Sequence, residues 1–199
     1  FLFLPVLAGM SGCNKKPGDK ELVEAWTLCE NLEYEKAFPV VREYLLHYPD
    51  NPVAHYLLGK CYQQREEPAL TLAKGELDMA RFLFSRDGDL SVLVEAMTAN
   101  EFQATLHNDT VLVLLRSLLE AEEQGMPPED GIPVLYIALK HAQKAAEFNP
   151  NSPFILDLAH TLETMLKAAE ESKKEKTPKL PRRSTPKPEP SPPPGTWLT

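Results

Sequence analysis

Two consecutive windows of 34 residues, 18–51 and 52–85, align without a gap through their first halves, placing Ala25 on Gly59 and Leu28 on Tyr62. Self-similarity at that period restricts a chain more than any composition does. Each copy is one supersecondary unit that cannot bury its apolar face alone and so must stack on its neighbour. A third copy is visible at Ala138, Ala142, Ala145 and Pro150. Spacings of four and three put those alanines on one helical face, where two backbones can approach closely. Pro49-Asp50-Asn51-Pro52 and Pro150-Asn151-Ser152-Pro153 share a layout: a helix stop, a polar N-cap, then Pro at the first helical position. They lie 101 residues apart, close to three periods. With nine Gly and 8% aromatic residues, a many-stranded β architecture has little support.

Leu58-Gly59-Lys60-Cys61-Tyr62 resembles the L-G-x-x-Y of tetratricopeptide repeats. There a small residue lets the second helix approach, and the tyrosine fills the wedge between helices. Window one supplies the matching second-helix pattern of Tyr34, Ala37 and Val41, closed by Pro49. In window two Ala73, Leu77 and Ala80 are displaced by two residues, which predicts an insertion in the turn near Arg65-Glu66-Glu67-Pro68. The resemblance is specific over 18–85 and 133–153 and weak over 86–132. It implies an all-α helical-hairpin solenoid of about eight helices over 18–171, with repeats at about 18–51, 52–87 and 109–152 and a capping helix at 153–171. Two positions depart from the family: Pro39 falls inside a second helix, so it must lie near the first turn or kink it, and Tyr44 replaces a small residue. The residues that would pack the repeats are Ala25, Ala37, Gly59, Tyr62, Ala80, Ala138 and Ala145.

In the middle stretch the pattern predicts helices at about 89–105 and 109–124, split by His107-Asn108-Asp109, then a loop from Gly125 to Ile132. That makes five helices between the two Pro pairs where strict alternation demands six. Either one helix is broken in two or a pair is degenerate. Beyond Ser172 apolar periodicity ends. Eight of the 19 Pro fall in the last 22 residues, so 172–199 reads as a disordered, basic Pro/Lys-rich tail. Its closing Trp197-Leu198 has the form of a short docking peptide or of a plain unordered end.

The amino-terminal segment 1–12 reads as part of a signal peptide: Phe1 to Met10 is apolar but too short to span a bilayer. Met10-Ser11-Gly12-Cys13 resembles the bacterial lipobox, with Met10 where Leu is usual. The resemblance implies a lipidated Cys13 with 13–17 as tether, in a bacterial cell envelope. In a two-membrane organism that means the periplasmic face of the outer membrane, because Asn14 is not the Asp of inner-membrane retention. More than one acyl chain anchors durably, at about 0.8 kcal/mol per buried CH₂. The plainer alternative is an ordinary cleaved signal with an incidental cysteine. Cys29 and Cys61 read as core thiols; an oxidising compartment permits a bridge, which the Cα separation decides.

Charge is divided. Residues 18–171 carry 12 basic against 27 acidic side chains, and 172–199 carry seven against two. An acidic body repels phosphates, so no nucleic-acid partner is expected. The basic tail suits anionic lipid, an acidic wall polymer or the body itself. No phosphate-cradling Gly motif, nucleophile elbow or paired-cysteine zinc spacing occurs. The five His (His47, His55, His107, His141, His160) are spaced without suggesting a shared metal site. The sequence therefore points to a non-enzyme with no cofactor, no metal and no small-molecule substrate.

In tetratricopeptide repeats the first helix of each unit lines a concave groove. Carried onto the two aligned windows, the resemblance implies groove positions at Asp19, Leu22, Trp26, Cys29 and Glu30, then Val53, Tyr56, Lys60, Gln63 and Gln64. Trp26 and Tyr56 are the aromatic anchors of the kind that dominate interfaces, although Trp26 packing on the tether is an equal reading. Lys60 alone is too little for a clamp on a peptide carboxylate. The resulting expectation is a lipid-anchored envelope scaffold that binds an unidentified protein partner. The rivals are a structural lipoprotein whose tail contacts the cell wall, a cytosolic repeat protein with a misread start, and an enzyme of unfamiliar site.

Overall fold

A computed structural model describes residues 19–87 and 97–176. The segment 1–12, the whole tether 13–17 with Cys13, and most of the tail, including Trp197 and Leu198, lie outside the described residues. Seven α-helices follow in order: α1 (Asp19–Glu30), α2 (Tyr34–His47), α3 (Pro52–Gln64), α4 (Leu70–Asp87), α5 (Ala99–Glu123), α6 (Ile132–Phe148) and α7 (Pro153–Lys176). A 3₁₀ turn, Pro128–Gly131, precedes α6. No strand occurs among the described residues.

The helix ends follow from local chemistry. Asn51 caps α3, its side chain accepting the Ala54 amide at 2.9 Å with Pro52 at the first position. Ser152 stands in the same place before α7, more loosely, at 3.5 Å from the Ile155 amide. The α1–α2 turn takes residues 31–33 and the α3–α4 turn residues 65–69, which is the two-residue insertion. In the first of these turns the Glu33 amide donates to Leu28 and the Leu32 amide to Cys29. This six-to-one closure usually places Gly in the left-handed region; here Leu32 adopts it, at φ 62°. Gly125 (φ 93°) does the same job after α5. Pro39 lies in the second turn of α2 rather than its first, leaving the Glu35 carbonyl without its helical donor.

The middle of the chain differs from expectation. Residues 99–123 form one unbroken helix of 25 residues, about 37 Å long. Thr98 and Glu101 start it with a reciprocal capping box: the Thr98 Oγ1 accepts the Glu101 amide, and the Glu101 carboxylate accepts the Thr98 amide at 2.7 Å. His107-Asn108-Asp109 does not break it, because two of the three have partners on other helices. His107 meets His141, and Asp109 meets Lys60. Tertiary partners outweigh weak helix propensity. Four α-helices therefore lie between the Pro pairs among the described residues, and they pair as α3/α4 and α5/α6. The last unit begins near 99 rather than 109, and α7 runs to Lys176, past the expected stop at 171.

Each helix packs chiefly on its chain neighbours, and α1 also touches α3. That is the connectivity of an open stack of hairpins. Two large apolar cores share α5, beside a small cluster of Ala104, Ala145 and Ile155. One joins α1–α4 to Phe102, Leu106 and Val113; the other joins Val111, Leu114 and Leu118 to α6 and α7. Ala25, Ala37, Ala80, Ala138 and Ala145 are fully buried at helix crossings, while Tyr62 is half-buried, its ring edge-on to Phe38 at 5.3 Å. Tyr44 occupies its non-family position by stacking on Tyr48 at 4.7 Å.

Candidate functional site

The end of α1, its turn and the inner side of α3 enclose a cavity of about 240 Å³, lined by Trp26, Cys29, Glu30, Leu32, Tyr34, Tyr56, Leu57 and Lys60. Its wall is aromatic because Trp26 of α1 and Tyr56 of α3, on the first helices of successive repeats, meet with ring centroids 5.9 Å apart. Tyr34 enters from the start of α2. Leu32, 73% exposed, stands at the rim, held out by the left-handed turn. Non-glycine residues in that region carry roughly 1 kcal/mol of strain and persist where the surroundings impose it. The Trp26 Nε1 donor is buried without a hydrogen-bond partner. The site is thus a largely apolar cup with one cation, one carboxylate and two phenols in its lining.

The aromatic contacts continue inward. Tyr56 packs edge-on to Phe102 at 5.5 Å, and Phe102 on Phe84 at 5.3 Å. Burial, then the neighbouring Asp109 charge, holds the Tyr56 phenol well above its ordinary range, so it is neutral and a donor at physiological pH. Burial also raises Tyr34, against the opposing pull of Lys60. Lys60 Nζ lies 3.2 Å from Asp109 Oδ2, close enough to pair although not aligned as a hydrogen bond. Arg116 of α5 donates to the Gln63 carbonyl at 3.1 Å. Across its middle, then, α3 is sealed against α5 by direct contacts.

That seal sorts the expected groove residues. Trp26, Glu30, Tyr56 and Lys60 line the cavity, joined by Cys29. Leu22 and Val53 do not: both are fully buried in the first core, because their positions on α1 and α3 turn toward neighbouring helices instead of the hollow. Gln63 is 3% exposed, its Oε1 unpartnered, behind Arg116. Gln64 is exposed at the end of α3, outside the cavity lining, and Asp19 opens α1. Tyr34 and Leu32 are additions to the expected groove: Leu32 belongs to a turn, and Tyr34 opens α2, a second helix whose periodicity says nothing of the cup.

No family model matches this chain. Nor does any curated protein. Among solved structures, two of the Yersinia enterocolitica type III secretion translocator chaperone SycD are similar to it, each at 15% identity and a TM-score of 0.48. They cover 78% of this chain and 85% and 93% of their own; one is a complex with a peptide of the translocator YopD.

Two further features lie along α5. A second hollow of about 330 Å³ opens between α5 and the start of α7, bounded by Met97, Glu101, Thr105, Asn108, Ser152 and Phe154 among others, and is more polar than the first. On another side, His107 and His141 bring their Nδ1 atoms to 2.9 Å, with His107 stacked on Phe148. They lie on the two helices of one hairpin, α5 and α6, so packing within that unit brings them together. Among the described residues no third His, Cys, Asp or Glu completes a metal cluster. Burial first, then the other imidazole for His107 and Arg81 for both, lowers each ring to about 4.

Both rings are consequently neutral at pH 7 in the folded chain, whereas unfolded His titrates near 6.5. Between pH 6.5 and 4 the unfolded state binds protons that the folded state refuses, so stability falls as pH falls through that window. A loss on the order of 3 kcal/mol for the pair is expected between pH 7 and 4.5. Urea midpoints at the two pH values measure it. His107→Gln combined with His141→Gln should remove most of the difference, and an unchanged pH dependence would show that other groups carry it.

Proposed function

We propose that this chain is a lipid-anchored scaffold of a bacterial cell envelope, built of tetratricopeptide-like hairpins, which captures a segment of another protein in the cup between α1 and α3. The observation that carries the reading is the cup itself: a cavity of about 240 Å³ walled by Trp26, Tyr34 and Tyr56. Aromatic rings and an exposed apolar rim suit an apolar or aromatic side chain of a guest. Met10-Ser11-Gly12-Cys13 supports the anchor. None of the described helices is long and apolar enough to cross a membrane, so attachment through acyl chains is consistent with the remainder of the fold.

A photo-crosslinking amino acid at position 32, compared with one at exposed Leu72 on α4, tests the cup. A discrete adduct from position 32 alone, reduced about tenfold or more by Trp26→Ala, is the expected result, since an aromatic anchor contributes on the order of 2 kcal/mol. Equal adducts from both positions would overturn the reading. Tyr56→Ala is a poor probe because Tyr56 also packs Phe102; Tyr56→Phe keeps that contact. Mass spectrometry of Cys13 tests the anchor separately. The charge division between body and tail favours one rival, a wall-contacting lipoprotein. It predicts that deleting 177–199 abolishes association while Trp26→Ala leaves it intact.

A further inference from the structure

Cys29 closes α1, and Cys61 lies on the facing side of α3. Their sulfurs are 4.0 Å apart; both are reduced and buried. A disulfide bond is about 2.05 Å long, so bonding requires the sulfurs to close a gap of about 2 Å. The two environments are unequal. Cys29 forms part of the cup wall, beside Trp26, Tyr34 and Lys60, while Cys61 is fully enclosed behind it and does not line the cavity. A reagent entering the cup meets Cys29 first. Contact with Cys61 lowers the pKa of the Cys29 thiol, overcoming its burial with help from Lys60, whereas the pKa of Cys61 is pushed upward. The more acidic thiol is thus the accessible one.

We infer that Cys29 and Cys61 form a dithiol–disulfide couple opening into the cup, in which Cys29 attacks an incoming disulfide and Cys61 resolves it. The oxidant is a disulfide, either a small one such as oxidised glutathione or an exposed one on another protein. The Cys29 thiolate displaces one thiolate from it and forms a mixed disulfide. Cys61 then gives up its proton, which the departing thiolate takes, and its sulfur attacks that of Cys29 and releases the second thiolate. Two protein thiols are oxidised, one disulfide is reduced to two thiols, and two electrons move. The bridge joins α1 to α3 directly and draws together the two helices that carry Trp26 and Tyr56, so oxidation narrows the cup. This assignment stands on the thiol geometry and does not require the cup to bind a peptide.

The test uses the full chain carrying Cys13→Ser, which leaves only this pair. After equilibration with oxidised glutathione, acid quenching and alkylation, digestion should yield a crosslinked peptide joining residues 29 and 61, lighter than the two reduced peptides by two hydrogens. Dithiothreitol should return two alkylated cysteines. The bridge closes a loop of about 30 residues, so Tm should rise on the order of 10 °C. Cysteines still fully alkylated, or glutathione retained on either, would overturn the couple. In the same background Cys61→Ala should hold glutathione on Cys29, and Cys29→Ala should react about tenfold or more slowly at Cys61. Equal rates would overturn the assignment of the attacking thiol.

Discussion

Gly59→Leu should unfold the first two hairpins or leave them loosely packed, with a loss of at least about 3 kcal/mol. The reason is distance. A Cβ at position 59 would sit 3.1 Å from Leu77 Cδ2 and Cγ and 3.2 Å from the Ala73 carbonyl oxygen, all on α4. A β-carbon alone is tight enough to force α4 outward by a few tenths of an ångström. Three further carbons have nowhere to go, because Leu77 and Ala73 are themselves fully buried. Gly59→Ala should fall between, its roughly 1 kcal/mol gain in helix propensity offset by the contact. Gly75 of α4 is the control: nothing lies within 4 Å of a Cβ there, so Gly75→Ala should raise stability by up to about 1 kcal/mol. Thermal and urea unfolding of the three variants decide the matter. A Gly59→Leu protein that melts with the wild type would show that α3 and α4 do not meet as closely as described.

The same close approach explains why so much of the architecture was legible. A glycine or alanine every period, closed by Pro-polar-polar-Pro, is the chemical trace of two backbones crossing and a capped helix restarting. Those marks are local in sequence, so periodicity exposes them. What stayed hidden depended on partners far along the chain. His107, Asn108 and Asp109 look like a helix break, yet α5 runs through them because His141 and Lys60 wait on α6 and α3. One local signal was present and overlooked: Thr98-x-x-Glu101 is a capping box and fixes the true start of α5.

The candidate site divides in the same way. Trp26 and Tyr56 could be placed by aligning repeats, and the structure puts both in one cup. Leu22 and Val53 were drawn from the same alignment and lie one turn before Trp26 and Tyr56, but there neighbouring helices cover them, and burial is a property of the packed array. Leu32 escaped because a turn has no period, and Tyr34 because it opens a second helix whereas the family's groove positions lie on first helices. Leu32 could be located only by its positive φ, which nothing about leucine foretells. The proximity of Cys29 and Cys61 follows from stacking successive first helices at nearly the same register, and only coordinates show that the thiols turn toward each other.

Lys60→Met should be the other severe substitution, costing roughly 3–5 kcal/mol although it removes a side chain on the wall of an open cup. Its partner makes it so. Asp109 is 4% exposed in the middle of α5, with the Lys60 ammonium at 3.2 Å as its counter-charge and the buried Tyr56 ring nearby. Two charges removed from water gain little net stability from each other, but one left behind loses the attraction and keeps the desolvation penalty. The prediction is therefore sharpest as a cycle. Lys60→Met and Asp109→Asn should each destabilise, while the double variant should recover much of the sum, leaving a coupling of about 2 kcal/mol or more. Strictly additive losses in urea unfolding would mean that the pair is independent and that α3 is held to α5 by the Tyr56–Phe102 and Arg116–Gln63 contacts instead. Coupling would instead make the ion pair the lock that fixes the inner wall of the cup. On that geometry Lys60 is engaged by the protein's own carboxylate, which explains chemically why the cup should select a guest by its apolar side chain rather than by a terminal carboxylate.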